Sequence, residues 1–502
     1  MLRPSAALVL AAFSLAVGSA SASPSSRTPG FLVLTGTRTE GDAPGRFTET
    51  IDLAASRWKR AQQMGDSQSY AGFDGQPWGA ANGIVTASNL PSAVAVKRAE
   101  TWLEVSGWRL RASPGEQSRR VEPRGANPIV LTFDPASGRV RQAATEGDWG
   151  IATVTFSDWR SVGPFTYPFH REELSPTGER VITQVETAQL RTRLERPDVS
   201  RPKRQSHAQL DGHSAATIPF VGTGARKSHI LVDANINGQP AKLIFDTGAA
   251  NYLTAGAAPY FGIHPVGGIN LSGVGETSDV GGYATVDRVA LGPAALRNET
   301  IVVGPAPWPE AAGKRPDVTG LTGYEFVAEY VTTIDYPARE LRFATSLPKQ
   351  PGAVRVPFYN DEFHMYVHAT VNGVDGLFGL DTGDGGTVTI FPAFAARAGI
   401  HGSAVPSARA GAGIGGAVKA QSGTLTRFSL GGLDFHQLPV DFSQNKAGAF
   451  ASRSIAGNLG GGVLQCFRIT IDFPHHLLLF VPAPQSPYCA PGGTVRRTGA
   501  RS

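Results

Sequence analysis

The second half of this 502-residue chain is written twice, and that duplication constrains its fold more than any other feature. An apolar run, Leu243-Ile244-Phe245, stops at Asp246-Thr247-Gly248-Ala249, and Leu377-Phe378-Gly379-Leu380 stops in the same way at Asp381-Thr382-Gly383. The two acids lie 135 residues apart (381 − 246), as do the Asn-Gly turns that precede them, Asn237-Gly238 and Asn372-Gly373. Further landmarks keep nearly the same spacing. Gly262-Ile263 matches Gly399-Ile400, Gly273-Val274-Gly275 matches Gly411-Ala412-Gly413, and Leu291-Gly292 matches Leu430-Gly431. Thr333-Ile334-Asp335-Tyr336-Pro337 matches Thr470-Ile471-Asp472-Phe473-Pro474. A parallel series of this length means one module, duplicated.

Each copy reads as β structure. Ile230 to Ile236 alternates apolar and polar residues and leads into an Asn-Gly turn, a strong hairpin pattern, and His364 to Val371 does the same. Phe391 to Gly399 reads as a short helix, with Pro392 early and Gly399 at its end. An acid at the end of a buried strand is held at a fixed point on rigid backbone. Two such acids brought together within about 3 Å cannot both ionise, so they share a proton.

These features resemble the pepsin and retropepsin family of aspartic proteases, in a tandem single-chain bacterial form, over roughly residues 215–482. The resemblance rests on the two Asp-Thr-Gly loops, the Gly-rich stretches after them, and the later elements Gly320-Leu321-Thr322-Gly323 and Gly457-Asn458-Leu459-Gly460. It implies a mainly β, bilobal double barrel in which Asp246 and Asp381 are the catalytic pair. It also implies that Thr247 and Thr382 hydrogen-bond across the junction, and that Gly248 and Gly383 let the loops approach closely. The Gly-rich stretches are then flap or cleft elements, with Gly273, Gly275, Gly411 and Gly413 as candidates. Ser272 to Tyr283 forms the first flap, and Tyr283 is a further candidate there. One chain carries both acids, so the expected active form is a monomer built as an intrachain pseudo-dimer. Its partner is a peptide or protein substrate. The chemistry needs no metal, cofactor or covalent nucleophile.

One residue departs from the family pattern. Small residues usually follow the motif, as Ala249-Ala250 do, but the second copy has Asp384-Gly385-Gly386. Facing inward, Asp384 would raise the pKa of the pair; facing solvent, the orientation expected here, it is a turn residue. Gly411 to Gly416 formally fits the dinucleotide pattern GxGxxG, but no βαβ unit surrounds it. HExxH and GxSxG are absent. His475-His476 reads as a surface β position, and Asp335 and Asp472 as hairpin-turn residues.

The rest of the chain divides by composition. Residues 1–22 read as a signal peptide, with Arg3, an apolar stretch from Ala6 to Val17, and Ala20-Ser21-Ala22 as the cleavage site. About 12 apolar residues are too few to span a bilayer, so an exported periplasmic or secreted protein with no membrane span is expected. Residues 23–195 hold six of the seven tryptophans and alternate as strands around one helix candidate, Ser88 to Ser106. Arg46 to Leu53, Gly72 to Trp78 and Pro164 to Phe169 resemble the lipoprotein-carrier-like half-barrels of bacterial envelope proteins. That resemblance implies an α+β domain, a curved sheet with an apolar concave face, and a lipid or lipoprotein ligand. Core packing is the expected role of its tryptophans.

Residues 196–213 are basic and contain Pro, reading as a solvated linker or a processing site. Lobes at 214–350 and 351–485 and a tail at 486–502 complete the division. Cys466 and Cys489 are the disulfide candidate, an expectation that rests on an oxidising compartment. The net charge of +5 is spread along the chain without basic-aromatic clusters, so no nucleic-acid partner is expected. The leading functional expectation is an exported aspartic endopeptidase. The rivals are a non-cleaving peptide binder with the same fold, and an envelope lipid or lipoprotein binder acting through the N-terminal domain.

Overall fold

The computed structural model describes residues 29–308, 316–403, 406–407, 411–487, 489 and 493–495. The signal segment and most of the C-terminal tail lie outside the described residues. Mostly β structure is what the alternating patterns demand, and it is what forms.

The N-terminal region is one 12-stranded antiparallel sheet. Strand Pro29–Glu40 sits at its centre against Arg180–Thr192. The first six strands step outward from one side of this pair, and the last six return to the other. Helix Pro91–Val105 joins the two series, close to the expected span, with Pro91 in its first turn and Ala99, Leu103 and Val105 buried. Trp58 and Trp108 are core residues, donating through their ring N–H to Thr101 Oγ1 (2.9 Å) and the Glu104 carbonyl (2.8 Å). The interior is not purely apolar. Glu49 and Arg171 are buried in an ionic cluster with Arg60 and Glu104.

The basic segment after this sheet is held down rather than fully solvated. Arg201 makes a two-pronged pair with Asp74, and Arg204 donates to the Ala328 carbonyl (2.6 Å) and faces Glu329. Fixed acids and a free carbonyl lie along its path, which composition alone does not reveal.

In the duplicated region each acid ends the second arm of a hairpin. His229–Ile236 pairs with Gln239–Asp246, and His364–Val371 with Val374–Leu380. Both turns need two residues at positive φ: Asn237 (50°) and Gly238 (85°), then Asn372 (49°) and Gly373 (90°). A short strand then runs parallel to each acid-bearing strand, Gly320–Gly323 beside the first and Gly457–Leu459 beside the second. The helix expected after the second acid is Pro392–Ala398; the first copy has only the 3-10 turn Ala258–Phe261 there.

The copies are joined by a shared sheet whose central strands are Val331–Asp335 and Phe467–Asp472. Thr333 pairs with Thr470, its own repeat partner (470 − 333 = 137), and their hydroxyls are 2.7 Å apart. The pseudo-twofold axis therefore passes between these two residues. One continuous apolar core runs through both copies. Cys466 and Cys489 form a disulfide. His475 and His476 lie in the turn before the closing strand Leu477–Pro482, not within it; His476 stacks on Phe358 and bonds Asn89 of the N-terminal region.

Candidate active site

The two Asp-Thr-Gly loops meet. Thr247 Oγ1 donates to the Leu380 carbonyl (2.9 Å), and Thr382 Oγ1 donates to the Phe245 carbonyl (2.8 Å). In return the Thr247 N–H donates to Thr382 Oγ1 (3.0 Å) and the Thr382 N–H to Thr247 Oγ1 (3.2 Å). Both threonines are buried, so each hydroxyl is satisfied as donor and acceptor with no water. This four-bond square locks the loops and sets the acids face to face.

The Asp246 and Asp381 carboxyl groups sit against each other: the Cβ position of Gly248 lies 3.3 Å from Asp246 Oδ1 and 3.3 Å from Asp381 Oδ1. Glycine is what permits this. A Cβ on Gly383 would stand 2.2 Å from Asp246 Oδ2, and one on Gly248 would crowd Asp381 at 3.3 Å. The Gly248 N–H donates to Asp246 Oδ1 (2.8 Å), and the Gly383 N–H to Asp381 Oδ1 (2.8 Å). Burial raises the pKa of Asp246; burial and the facing Asp246 charge raise that of Asp381. A buried carboxyl pair with both pKa values raised holds one proton between its members over a wide pH range and titrates as a unit.

Asp384 does not face solvent as an ordinary turn residue. It is half-buried and faces inward, because the Asn458 amide draws it toward the pair. Asn458 Nδ2 donates to Asp381 Oδ2 (2.9 Å) and to Asp384 Oδ2 (3.0 Å), while Asp384 Oδ1 accepts from the Gly386 N–H (2.7 Å). Burial, then the Asp381 charge, pushes the Asp384 carboxyl up to about 6. The His229 ring lies against the same loop: a Cβ on Gly385 would be 2.7 Å from its Nε2.

The candidate flap glycines come together. Strands Val266–Ser272 and Ser278–Leu291 form a hairpin whose tip reaches the second Gly-rich stretch. The Gly275 N–H donates to the Ile414 carbonyl (3.0 Å), and the Thr277 N–H to the Gly415 carbonyl (3.2 Å). A Cβ on Gly413 would meet Val274 at 2.6 Å, and the Gly411 carbonyl accepts from the Val418 N–H. Tyr283 stands at the hairpin base opposite Val266, and burial lifts its phenol to about 12.

A second group escaped the sequence analysis. Behind the first acid loop, Asn251 donates its N–H to Glu325 (2.8 Å) and its side-chain amide to Glu299 (3.3 Å), and accepts from Thr322 Oγ1 (2.6 Å). Burial pushes Glu325 up to about 7 and Glu299 to about 9. Nothing in the local sequence marks these acids as buried, since a Glu among alternating residues reads as solvent-facing. Asp335 and Asp472 serve their turns, accepting from the Ala338 N–H and meeting His475 Nδ1 respectively.

Residues 232–326 and 367–463 each match the model of the aspartyl protease family, one match in each copy of the duplicated region. The resemblance read from the paired loops is thereby borne out at the level of family. Among solved structures, the chain is similar to a retropepsin-like aspartic protease from Rickettsia conorii. That match has 22% identity and a TM-score of 0.20, over 26% of this chain and 89% of the other. It is also similar to an aspartic proteinase from Irpex lacteus, with 13% identity and a TM-score of 0.35 over 54% and 98% of the two chains. No curated protein matches this chain.

Proposed function

We propose that this chain is an exported aspartic endopeptidase, with Asp246 and Asp381 as its catalytic pair. The observation that carries this reading is the close approach of the two carboxyl groups, set by the reciprocal Thr247–Thr382 bonds. In the proposed reaction a water bridges the pair. The ionised carboxylate takes a proton from that water as its oxygen adds to the scissile carbonyl, and the neutral carboxyl gives its own proton to the carbonyl oxygen. Collapse of the tetrahedral intermediate returns a proton to the departing amine and restores the singly protonated pair. Metal and covalent enzyme adducts have no part in these steps.

The substrate lies extended between the acids and the flap tip, where the glycine-rich strands offer main-chain hydrogen bonds. Export is proposed from the leader at 1–22, and cell fractionation tests it. The catalytic proposal is tested by incubating the protein with a denatured protein from pH 3 to 8, beside Asp246→Asn. Cleavage by the first and not the second is expected. Binding without cleavage by either would instead identify a peptide-binding protein with a protease fold. The N-terminal sheet is kept as a separate proposal, a lipid or lipoprotein binder, and lipid co-purifying with the full chain is its readout.

A further inference from the structure

The two lobes present unequal surroundings to the two acids. Pairing of the parallel strands puts Leu321 opposite Ile244 in the first lobe and Asn458 opposite Gly379 in the second, so Leu321 and Asn458 are repeat partners (458 − 321 = 137). Ala249 and Asp384 are likewise partners (384 − 249 = 135), and their main-chain bonds agree: the Tyr324 N–H donates to the Ala249 carbonyl, and the Gly461 N–H to the Asp384 carbonyl. Where the first lobe offers a leucine and an alanine, the second offers an amide and a carboxylate.

We propose that Asp384 is a positioning residue that acts through the Asn458 amide, holding the Asp381 carboxyl in its orientation within the pair and moving the working pH of the pair upward. This deepens the protease reading and rests on it. Asp381 accepts from the Asn458 amide and from the Gly383 and Asp384 N–H groups, and Asp246 from the Gly248 and Gly383 N–H groups. The Asn458 side chain is thus a donor to Asp381 that its repeat partner Leu321 cannot supply to Asp246, and it fixes the rotation of the Asp381 carboxyl.

Asp384 keeps that arrangement in place. A carboxylate oxygen only accepts, so with Asp384 on one side and Asp381 on the other the Asn458 amide must turn its NH₂ toward both. Its carbonyl oxygen then points over Gly379, where a Cβ would stand 2.8 Å away. Gly379 is therefore the residue that makes room for the bridge. The charge on Asp384 has a second effect. It opposes ionisation of the pair, and burial lifts Asp384 itself. The other titratable groups facing this cluster are His229, whose charge favours the Asp384 anion, and Tyr336, buried beside Asp246 and Asp381.

The test compares the full chain with Asp384→Asn and Asn458→Leu, the latter restoring the residue of the first lobe. Two readouts are taken: the pH profile of kcat/KM on a denatured protein, and the ionisation of ¹³C-labelled aspartate carboxyls by NMR. Asp384→Asn keeps an acceptor for the amide but removes the charge. Its profile should move toward acid by about one pH unit. Asn458→Leu should lower kcat at least tenfold with KM changed less than threefold, and should move the carboxyl titration of Asp381 more than that of Asp246. An unmoved profile in Asp384→Asn overturns the proposal even if kcat falls, because a merely structural role lowers rate without shifting pH dependence. An Asp381 carboxyl titration that Asn458→Leu leaves unmoved also overturns it. If the unmodified chain cleaves nothing, the protease reading falls, and the NMR titrations alone decide this proposal.

Discussion

At the scale of single residues, the site is a small set of buried polar groups, each with a partner. Thr247 and Thr382 show how much depends on one hydroxyl. Replacing either by Val keeps the shape but strands one main-chain N–H and one carbonyl at the junction. Each substitution should cost about 2–3 kcal/mol in denaturant unfolding and lower kcat/KM at least tenfold. Glu325 gives a pH prediction. Its folded pKa, about 7, lies above the ordinary 4.5, so the folded chain holds a proton that the unfolded chain releases. The stability this contributes is complete below pH 4.5 and is lost as pH rises through 7. Glu325→Gln keeps the acceptor for the Asn251 N–H and removes the titration. Unfolding measured across pH 4–8 should therefore show the unmodified chain losing stability relative to this variant as pH rises; parallel curves would contradict the burial argument. The acids of the pair were legible in the sequence because their motif occurs twice. Glu299, Glu325 and Asn251 were not, because their burial comes from strands distant in the chain.

At the scale of elements, the duplication made the architecture readable. The Asn-Gly turns, the acid-bearing strands and the glycine-rich flap each fell where a repeated β module put them. The orientation of Asp384 was misread, since a polar residue between a Gly and two more Gly residues reads as a turn. Its inward aim depends on Asn458, 74 residues later. The missing helix in the first copy was equally hidden: a short helix and a 3-10 turn can both end at a left-handed glycine, as they do at Gly399 and Gly262 (φ 64° in each). The flap offers a direct check. A Cβ on Gly275 would lie 1.8 Å from the Gly415 carbonyl oxygen, a clash that only separation of the two Gly-rich stretches relieves. Gly275→Ala should lower kcat/KM about tenfold or more, because the two Gly-rich stretches must separate to admit the methyl group.

At the scale of the whole molecule, the N-terminal sheet is fastened to the duplicated region. The Asp42 N–H donates to the Gly268 carbonyl (3.1 Å) on the flap hairpin, and Glu179 accepts from Ser272 on the same strand. Asp148 accepts from Ser452 Oγ (2.5 Å) and the Ser454 N–H (2.7 Å), and Leu90 packs with Phe391, Phe450 and Ile455 of the second lobe. Composition separated the two regions but said nothing of these contacts, which join side chains with no common pattern. The disulfide closes a separation of 23 residues at the C-terminal end, so Cys489→Ser should cost about 3 kcal/mol in unfolding under oxidising conditions and nothing under reducing ones. The central claim is that two lobes build one site from two acids. Cleavage rates of Asp246→Asn, Asp381→Asn and the double variant test it most directly, measured on a denatured protein at the optimum of the unmodified chain. Residues that act as a unit are not additive, so each single change should lower kcat about a thousandfold or more, and the double variant should be no slower than the worse single. A single variant that keeps a tenth of the rate, or losses that multiply in the double, would contradict the account.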